Sequence, residues 1–451
     1  MAEQFVDLRS SSPRAETRTI KPCPRLEGEV VLPGDKSISH RAVILNSLAK
    51  GKAEIDNFAP GGDCLATIRC LRALGVKIDR QGSRDSPTLL VSGTGEDGLK
   101  EASNVLNAQD SATTMRLLGG LLASQSFLSV ITGDASLRKR PMGRLIEPLR
   151  LMGAEIWGRG RDSFAPLVIM GKKLHGIDFT LPVPSAQIKS AMLLAGLFAH
   201  GNTILHQVIP SRDHTERMLK RMGASLESQG DSISLLPLGS PLVSVNLRIP
   251  GDISSAAYFL VAGAIHRNAR IVIRDSGINP TRTGIIDILL AMGARLKIAN
   301  KRPEASEPLA DIVVESSELK GIEVGGDIIP RLIDEIPVLA VAGCVARGKT
   351  VIRDAGELRV KESDRIATVA SELSRLGAKI EPLPDGMVIY GGRPLSGTEV
   401  DSHFDHRLAM SLAIAGLVAK GETTIKHAQV AQVSYPAFWQ TLQQGLNTDK
   451  S

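Results

Sequence analysis

The chain has 451 residues, more than one hydrophobic core usually organises, and its 43% hydrophobic and 23% charged residues are the proportions of a globular protein of two or more domains. Aromatic residues make up only 3%, which argues against a base-stacking nucleic-acid platform, and no apolar run is long enough to span a membrane. The net charge of +6 at pH 7 suits an anionic partner, small or polymeric.

The first twenty residues mix acids and bases without an apolar core and read as a flexible leader, not a signal peptide. The apolar run at 30–32 predicts a strand and the run at 42–45 a helix. Between them lies PGDKSISHR at 33–41, a tight turn and helix start carrying Lys36, Ser37, Ser39 and Arg41. Unpaired N–H groups at the helix start add partial positive charge. The segment therefore reads either as an anion site or as a capped helix whose charges face water. IPGDISSAAYFL at 249–260 echoes LPGDKSISHRAV at 32–43 and predicts a second junction of the same kind. The cysteines Cys23, Cys64, Cys70 and Cys344 form no CxxC pair and read as reduced thiols of a cytoplasmic protein.

An internal repeat runs through the chain. The pattern L-x-x-[LM]-G-[AV]-x-[IL] occurs with its glycine at Gly75, Gly153, Gly223, Gly293 and Gly377, about 70 to 84 residues apart, with a degraded copy near Gly445. It predicts a helix closed by glycine and followed by a strand. A second helix-end signal precedes it at 48–55, 198–205, 345–352 and 418–425. The repeated unit is a small α/β module, present six times. The two Pro-Gly-Asp turns divide the six into halves, 34–250 and 1–33 with 251–451, with a hinge near Pro33 and Pro250 and ligands expected in the cleft between.

Basic groups recur at helix starts. RKRPMGR at 138–144 gathers Arg138, Lys139, Arg140 and Arg144, and SRDHTERML at 211–219 carries Arg212 and His214. RVKESDR at 359–365 holds Arg359, Lys361, Glu362 and Arg365, and FDHRLAMSLAIAG at 404–416 holds Asp405, His406 and Arg407. Each alone reads as a solvated helix end; together they predict a shared anion cleft. Lys36, Arg41, Arg140, Arg212, Lys361, Arg365 and Arg407 would bind phosphates and carboxylates. Asp334, ahead of the apolar run at 336–343, is either a helix-dipole partner or a base kept ionised by those cations. There is no GxxxxGK[ST] loop, no GxGxxG after a strand, no GxSxG elbow and no metal-ligand spacing, so the expected mechanism uses neither metal nor cofactor.

PGDKSISHR, DSATTMR at 110–116, GDASLRKRPM at 133–142, PSAQIKSA at 184–191, SRDHTE, IDE at 333–335, LRVKESDR and DHRLAM follow one another between about Leu26 and Tyr435. In this order and spacing the chain resembles the 5-enolpyruvylshikimate-3-phosphate (EPSP) synthase family, and SRDHTE and LRVKESDR resemble its glyphosate-tolerant class II. The resemblance implies an α/β fold of two similar domains, each of three βαβαββ units, the inside-out α/β barrel of enolpyruvyl transferases. It implies transfer of the enolpyruvyl group of phosphoenolpyruvate to the 5-hydroxyl of shikimate 3-phosphate by addition–elimination, with release of phosphate, in aromatic amino acid biosynthesis. By the same resemblance Lys36, Asp334 and Glu362 are catalytic. Lys36, Ser37, Arg41, Ser185, Gln187, Arg212, Asp334 and Lys361 bind shikimate 3-phosphate. Lys36, Asp110, Ala112, Arg140, Gln187, Arg365 and Arg407 bind phosphoenolpyruvate. No metal, cofactor, nucleic acid or membrane is implied; the expected protein is a cytoplasmic monomer weakly inhibited by glyphosate.

Three positions depart from the family pattern. Asp110 stands where Asn is usual, Ala112 where Gly is usual, and Val433 where many members carry a lysine. A carboxylate at 110 would repel an anion, and a methyl group at 112 would crowd a longer inhibitor. The sister transferase acting on UDP-N-acetylglucosamine carries a cysteine in the loop matching 133–142, and this chain has none there. A non-catalytic polyanion binder is disfavoured by the scarce aromatics and by Asp334 and Glu362.

Overall fold

The computed structural model describes residues 16–95, 98–304, 307–444 and 446, so the leader up to residue 15 and the degraded repeat glycine Gly445 lie outside the described residues. The helices are α1 (Lys36–Leu48), α2 (Gly62–Ala73), α3 (Ala112–Ala123), α4 (Gly143–Leu151), α5 (Ala186–Gly196), α6 (His214–Arg221), α7 (Ile253–Ile265), α8 (Gly284–Ala291), α9 (Ile329–Leu332), α10 (Ile336–Val345), α11 (Arg365–Arg375), α12 (His406–Gly416) and α13 (Phe438–Gln444).

The repeat motif has a local hydrogen-bonding cause. Gly75, Gly153, Gly223, Gly293 and Gly377 have φ of +90°, +90°, +91°, +95° and +92°, where a side chain would be strained. This lets the N–H of the next residue turn back onto the leucine five residues before it. Val76, Ala154, Ala224, Ala294 and Ala378 donate to the carbonyls of Leu71, Leu149, Leu219, Leu289 and Leu373 at 3.0, 3.0, 3.0, 2.9 and 3.1 Å. Each copy is a Schellman C-cap launching a strand.

The strands form six small sheets among the described residues. In one, Thr203–Gln207 pairs in parallel with Asp178–Leu181 and antiparallel with Ser232–Leu235, which pairs antiparallel with Leu226–Gln229. With α5 and α6 between the strands, this is the expected βαβαββ order. Two sheets take their first strand from the other side of a Pro-Gly-Asp turn. Leu247–Arg248 completes the sheet of Lys50–Asp56, and Leu26–Val31 completes the sheet of Ala269–Gly277. The sheet of Glu399–Asp401 and Thr423–Lys426 differs: its third member is Arg18–Ile20, and it has three strands.

Six helices are buried along nearly their whole length. α1, α3 and α5 belong to one apolar cluster running from Ile38 to Ile249; α7, α10 and α12 belong to another, which also contains Leu26, Val30 and Leu32. A helix with no exposed face is apolar all round or satisfies its polar groups internally. In α1, Asn46 and Ser47 do so by donating to the carbonyls of Ala42 and Val43 at 2.9 and 2.6 Å.

The two Pro-Gly-Asp turns are bonded to each other. The Asp35 N–H donates to the Pro250 carbonyl at 2.8 Å, and the Asp252 N–H to that of Pro33 at 3.0 Å. A Cβ on Gly34 would lie 1.8 Å from the Asn57 carbonyl oxygen, so only glycine fits there. Asp35 caps the Ile38 N–H of α1 at 2.9 Å, and Asp252 caps the Ser254 N–H of α7 at 2.8 Å. Buried Arg282 joins the caps, its Nη1 3.0 Å from Asp35 and its Nη2 3.3 Å from Asp252. No helix among the described residues is long and apolar enough to cross a membrane.

Candidate active site

Five of the six buried helices bring their N-terminal ends to one cavity of about 510 Å3 between the two clusters. α1 supplies Lys36 and Ser37, α3 supplies Ala112, Thr113 and Arg116, and α5 with its cap supplies Ser185, Ala186 and Gln187. Asp334 comes from just before α10 and Arg407 from the first turn of α12. Ser111 and Asp405 cap α3 and α12, accepting from Thr114 at 3.1 Å and Arg407 at 2.9 Å. Converging helix starts add partial positive charge to a wall that already carries Arg140, Arg144, Arg212 and Lys361.

At the cavity, three ion pairs among the described residues join side chains of 34–250 to side chains of 251–451. Arg212 Nη2 lies 2.5 Å from Asp334, Arg140 Nη2 lies 2.8 Å from Glu362, and Arg144 Nη1 lies 3.1 and 2.9 Å from the two Glu357 oxygens. Asp334 is also approached by Lys361 at 3.8 Å, Arg407 at 3.8 Å and Arg365 at 3.6 Å. Burial alone would raise the Asp334 carboxyl, but Arg407, Arg212, Lys361 and Arg365 hold it well below the usual carboxylate range. Glu362 follows the same pattern, burial being overcome by Arg365 and Arg140. Burial likewise opposes the Lys36 ammonium, yet Asp63, 2.7 Å away, lifts it above its ordinary value. Burial pushes His406 down to about 4, so its ring is neutral.

Lys36, Ser37, Asp110, Ala112, Arg140, Ser185, Gln187, Arg212, Asp334, Lys361, Glu362 and Arg407 all line the cavity. Arg41 and Arg365 do not; both stand behind its wall. Arg41 spends its donors on Thr215 at 2.7 Å, the Ser37 carbonyl at 2.9 Å and Ser190 at 2.7 Å. Arg365 grips Asp405 at 2.8 Å and Glu362 at 2.6 Å, and its Nη1 has no hydrogen-bond partner among the described residues. Val433 faces a neighbouring cavity of about 1390 Å3, across the Arg140–Glu362 pair, where Arg80, Arg84, Lys139 and Arg359 supply the cations.

Sequence reading missed Asp63, Arg116 and Glu357. Asp63 sits in the first turn of α2 with no spacing that ties it to Lys36. Arg116 had a signal: it is the lone charge in the apolar helix ATTMRLLGGLLA. It donates to Gln187 at 2.6 Å, and Gln187 donates to Thr113 at 2.9 Å, which fixes the amide's orientation.

The model of the EPSP synthase (3-phosphoshikimate 1-carboxyvinyltransferase) family matches residues 20–442. A 3-phosphoshikimate 1-carboxyvinyltransferase of Herpetosiphon aurantiacus is 53% identical over 425 residues, covering 94% of this chain and 98% of its own. One from Desulforudis audaxviator is 54% identical over 423 residues, covering 94% and 97%. The solved EPSP synthase of Acinetobacter baumannii is 43% identical, with a TM-score of 0.84 over 96% of this chain and 98% of its own. An enolpyruvyl transferase of Streptomyces tendae, 20% identical with a TM-score of 0.77 over 96% and 98%, shares the fold.

Proposed function

The chain belongs to the EPSP synthase family and is an enzyme of 3-phosphoshikimate 1-carboxyvinyl transfer, and we propose that the cavity at the seam is where the enolpyruvyl group passes from phosphoenolpyruvate to the 5-hydroxyl of shikimate 3-phosphate. The observation that carries this reading is the convergence of seven cations, Lys36, Arg116, Arg140, Arg144, Arg212, Lys361 and Arg407, on a cavity that also holds Asp334 and Glu362. Two phosphorylated carboxylates need that many fixed donors.

In this proposal the half of residues 34–250 binds shikimate 3-phosphate through Lys36, Ser37, Ser185, Gln187 and Arg212. The half of 1–33 with 251–451 supplies Asp334, Lys361, Glu362 and Arg407. Lys36, Arg140, Gln187 and Arg407 hold phosphoenolpyruvate, beside Asp110 and Ala112. Arg41 and Arg365 act from behind, Arg41 by fixing the Ser37 backbone and Arg365 by orienting Glu362. The 5-hydroxyl oxygen bonds to C2 of phosphoenolpyruvate while its proton goes to a carboxylate and C3 takes a proton. The tetrahedral adduct then loses a C3 proton and its C2–O bond to phosphate, giving the enol ether and free phosphate. Asp334, kept ionised by its four cations, suits the base. Glu362 suits the acid once a phosphate on Arg140 draws that guanidinium from it and raises its proton affinity. Lys36 and the arginines stabilise the charge that moves during both steps.

We extend the proposal to class II character and reduced glyphosate sensitivity, for which the buried Ala112 methyl in the cavity wall is the support. A cytoplasmic monomer is part of the same reading, the buried thiols of Cys64, Cys70 and Cys344 suiting a reducing compartment. The test is steady-state phosphate release. It should require both substrates together, and Arg140→Ala should abolish it without unfolding the chain. Release from phosphoenolpyruvate alone, or none with both, would overturn the assignment. Ala112→Gly should lower the glyphosate concentration that halves the rate; an unchanged value would remove Ala112 from the explanation.

A further inference from the structure

Asp110 lies just before the Ser111 cap of α3, half-buried, in a wall shared by both cavities. The charged and titratable groups around it are Lys36 at the start of α1, Asp63 in the first turn of α2, Asp134 after the strand Leu128–Thr132, Arg140, and Glu362 from the opposite half. Lys36 is already committed, its Nζ 2.7 Å from Asp63 Oδ2. Arg140 is committed to Glu362. Among the described residues no cation forms an ion pair with Asp110, and Lys36, the cation that acts on it, is closer to Asp63.

The remaining partner is another acid. Asp110 and Asp63 line the same cavity beside Lys36, and a hydrogen bond between two carboxyl groups there requires one proton between them. The proton resides on Asp110, because Asp63 has Lys36. Burial first, and then Asp63, push the Asp110 carboxyl up to about 7, while burial at Asp63 is overcome by Lys36, which holds that carboxyl at about 2. A carboxylic acid offers one acceptor and one donor, as the usual asparagine amide does, and carries no charge to repel an anion.

We propose that Asp110 serves the phosphoenolpyruvate subsite as a neutral carboxylic acid, its proton shared with Asp63, and that binding of this substrate is linked to keeping that proton. The inference rests on the functional reading above. Phosphoenolpyruvate is already a dianion at its phosphate above about pH 7, so any further pH dependence belongs to the protein.

The experiment is the KM for phosphoenolpyruvate against pH, for the unmodified enzyme and for Asp110→Asn at saturating shikimate 3-phosphate. Ionisation near 7 predicts a KM that rises roughly tenfold between about pH 7 and pH 8.5 in the unmodified enzyme, with kcat changing less, and stays within about twofold in Asp110→Asn. A merely structural Asp110 would leave the two profiles parallel, and parallel profiles overturn the inference. Carbon-13 NMR of labelled Asp carboxyl groups reads the same proton without turnover. One signal titrating near neutrality should be present in the unmodified chain and missing in Asp110→Asn; its absence from both overturns the shared proton. If that signal is found but neither protein releases phosphate, the proton stands and the functional reading fails.

Discussion

The turn at 33–35 and the turn at 250–252 exchange backbone hydrogen bonds, cap their helices with the same residue type and are tied together by Arg282, yet the helices they start carry different chemistry. α1 opens with Lys36 and Ser37, which line the cavity. α7 opens with Ile253, Ser254 and Ser255, all buried. Ser254 takes a hydrogen bond from Arg282 at 2.7 Å and gives one to Glu335. The comparison teaches that a duplicated backbone need not duplicate a site. The same helix start lines the cavity in α1 and builds a buried ionic junction in α7.

The strongest way to break this contrast is Lys36→Met. It should lower kcat/KM by about 10^3-fold in a chain that still folds, although stranding Asp63 also lowers its melting temperature; a near-normal rate in the coupled phosphate assay would erase the distinction between the turns. Next comes Arg282→Met, which leaves two buried aspartates without their cation. It should cost about 3–5 kcal/mol of stability in urea unfolding. A midpoint equal to the parent's would show that the junction is held by its backbone bonds alone.

The matched serines sharpen the comparison at lower amplitude. Ser254→Ala should cost about 1–3 kcal/mol of stability by stranding Arg282 and Glu335, without raising either KM. Ser37→Ala should do the reverse, raising the KM for shikimate 3-phosphate roughly tenfold, the equivalent of one lost charge-assisted bond, at unchanged stability. Equal effects of the two substitutions on both measurements would mean that the turns are functionally alike.

The smallest effect at neutral pH comes from Asp35. Burial would raise its carboxyl, but Arg282 holds it at about 2, below its unfolded value. Its contribution is therefore complete above about pH 4 and is lost as pH falls towards 2. Asp35→Asn should flatten the acid limb of stability over that window, as followed by circular dichroism. An unchanged limb would assign acid unfolding to other carboxylates.

Much of the fold was legible because its signals are short-range. The repeat glycines and their leucines are five or fewer residues apart, and a Schellman cap is closed by bonds within that span. The caps Asp35, Ser111, Ser185 and Asp405 likewise act within three residues. Since the cavity is built from helix starts, reading the starts also named most of the charged residues that line it. The sheet of Glu399–Asp401 was less legible, because its third strand, Arg18–Ile20, comes from the opposite end of the chain.

What the sequence by itself determined was the sixfold module, the two junctions and the cationic helix starts, all set by neighbours along the chain. Which of those cations reach the cavity was decided only by tertiary packing. Lys36 and Arg41 share α1, but Arg41 lies more than one helical turn further in and is claimed by Thr215 and Ser190. Asp63 meets Lys36 across 27 residues, and Arg144 meets Glu357 across 213. Such pairs depend on how helices and halves dock, and charge is strong enough to choose partners only where burial has removed the water between them.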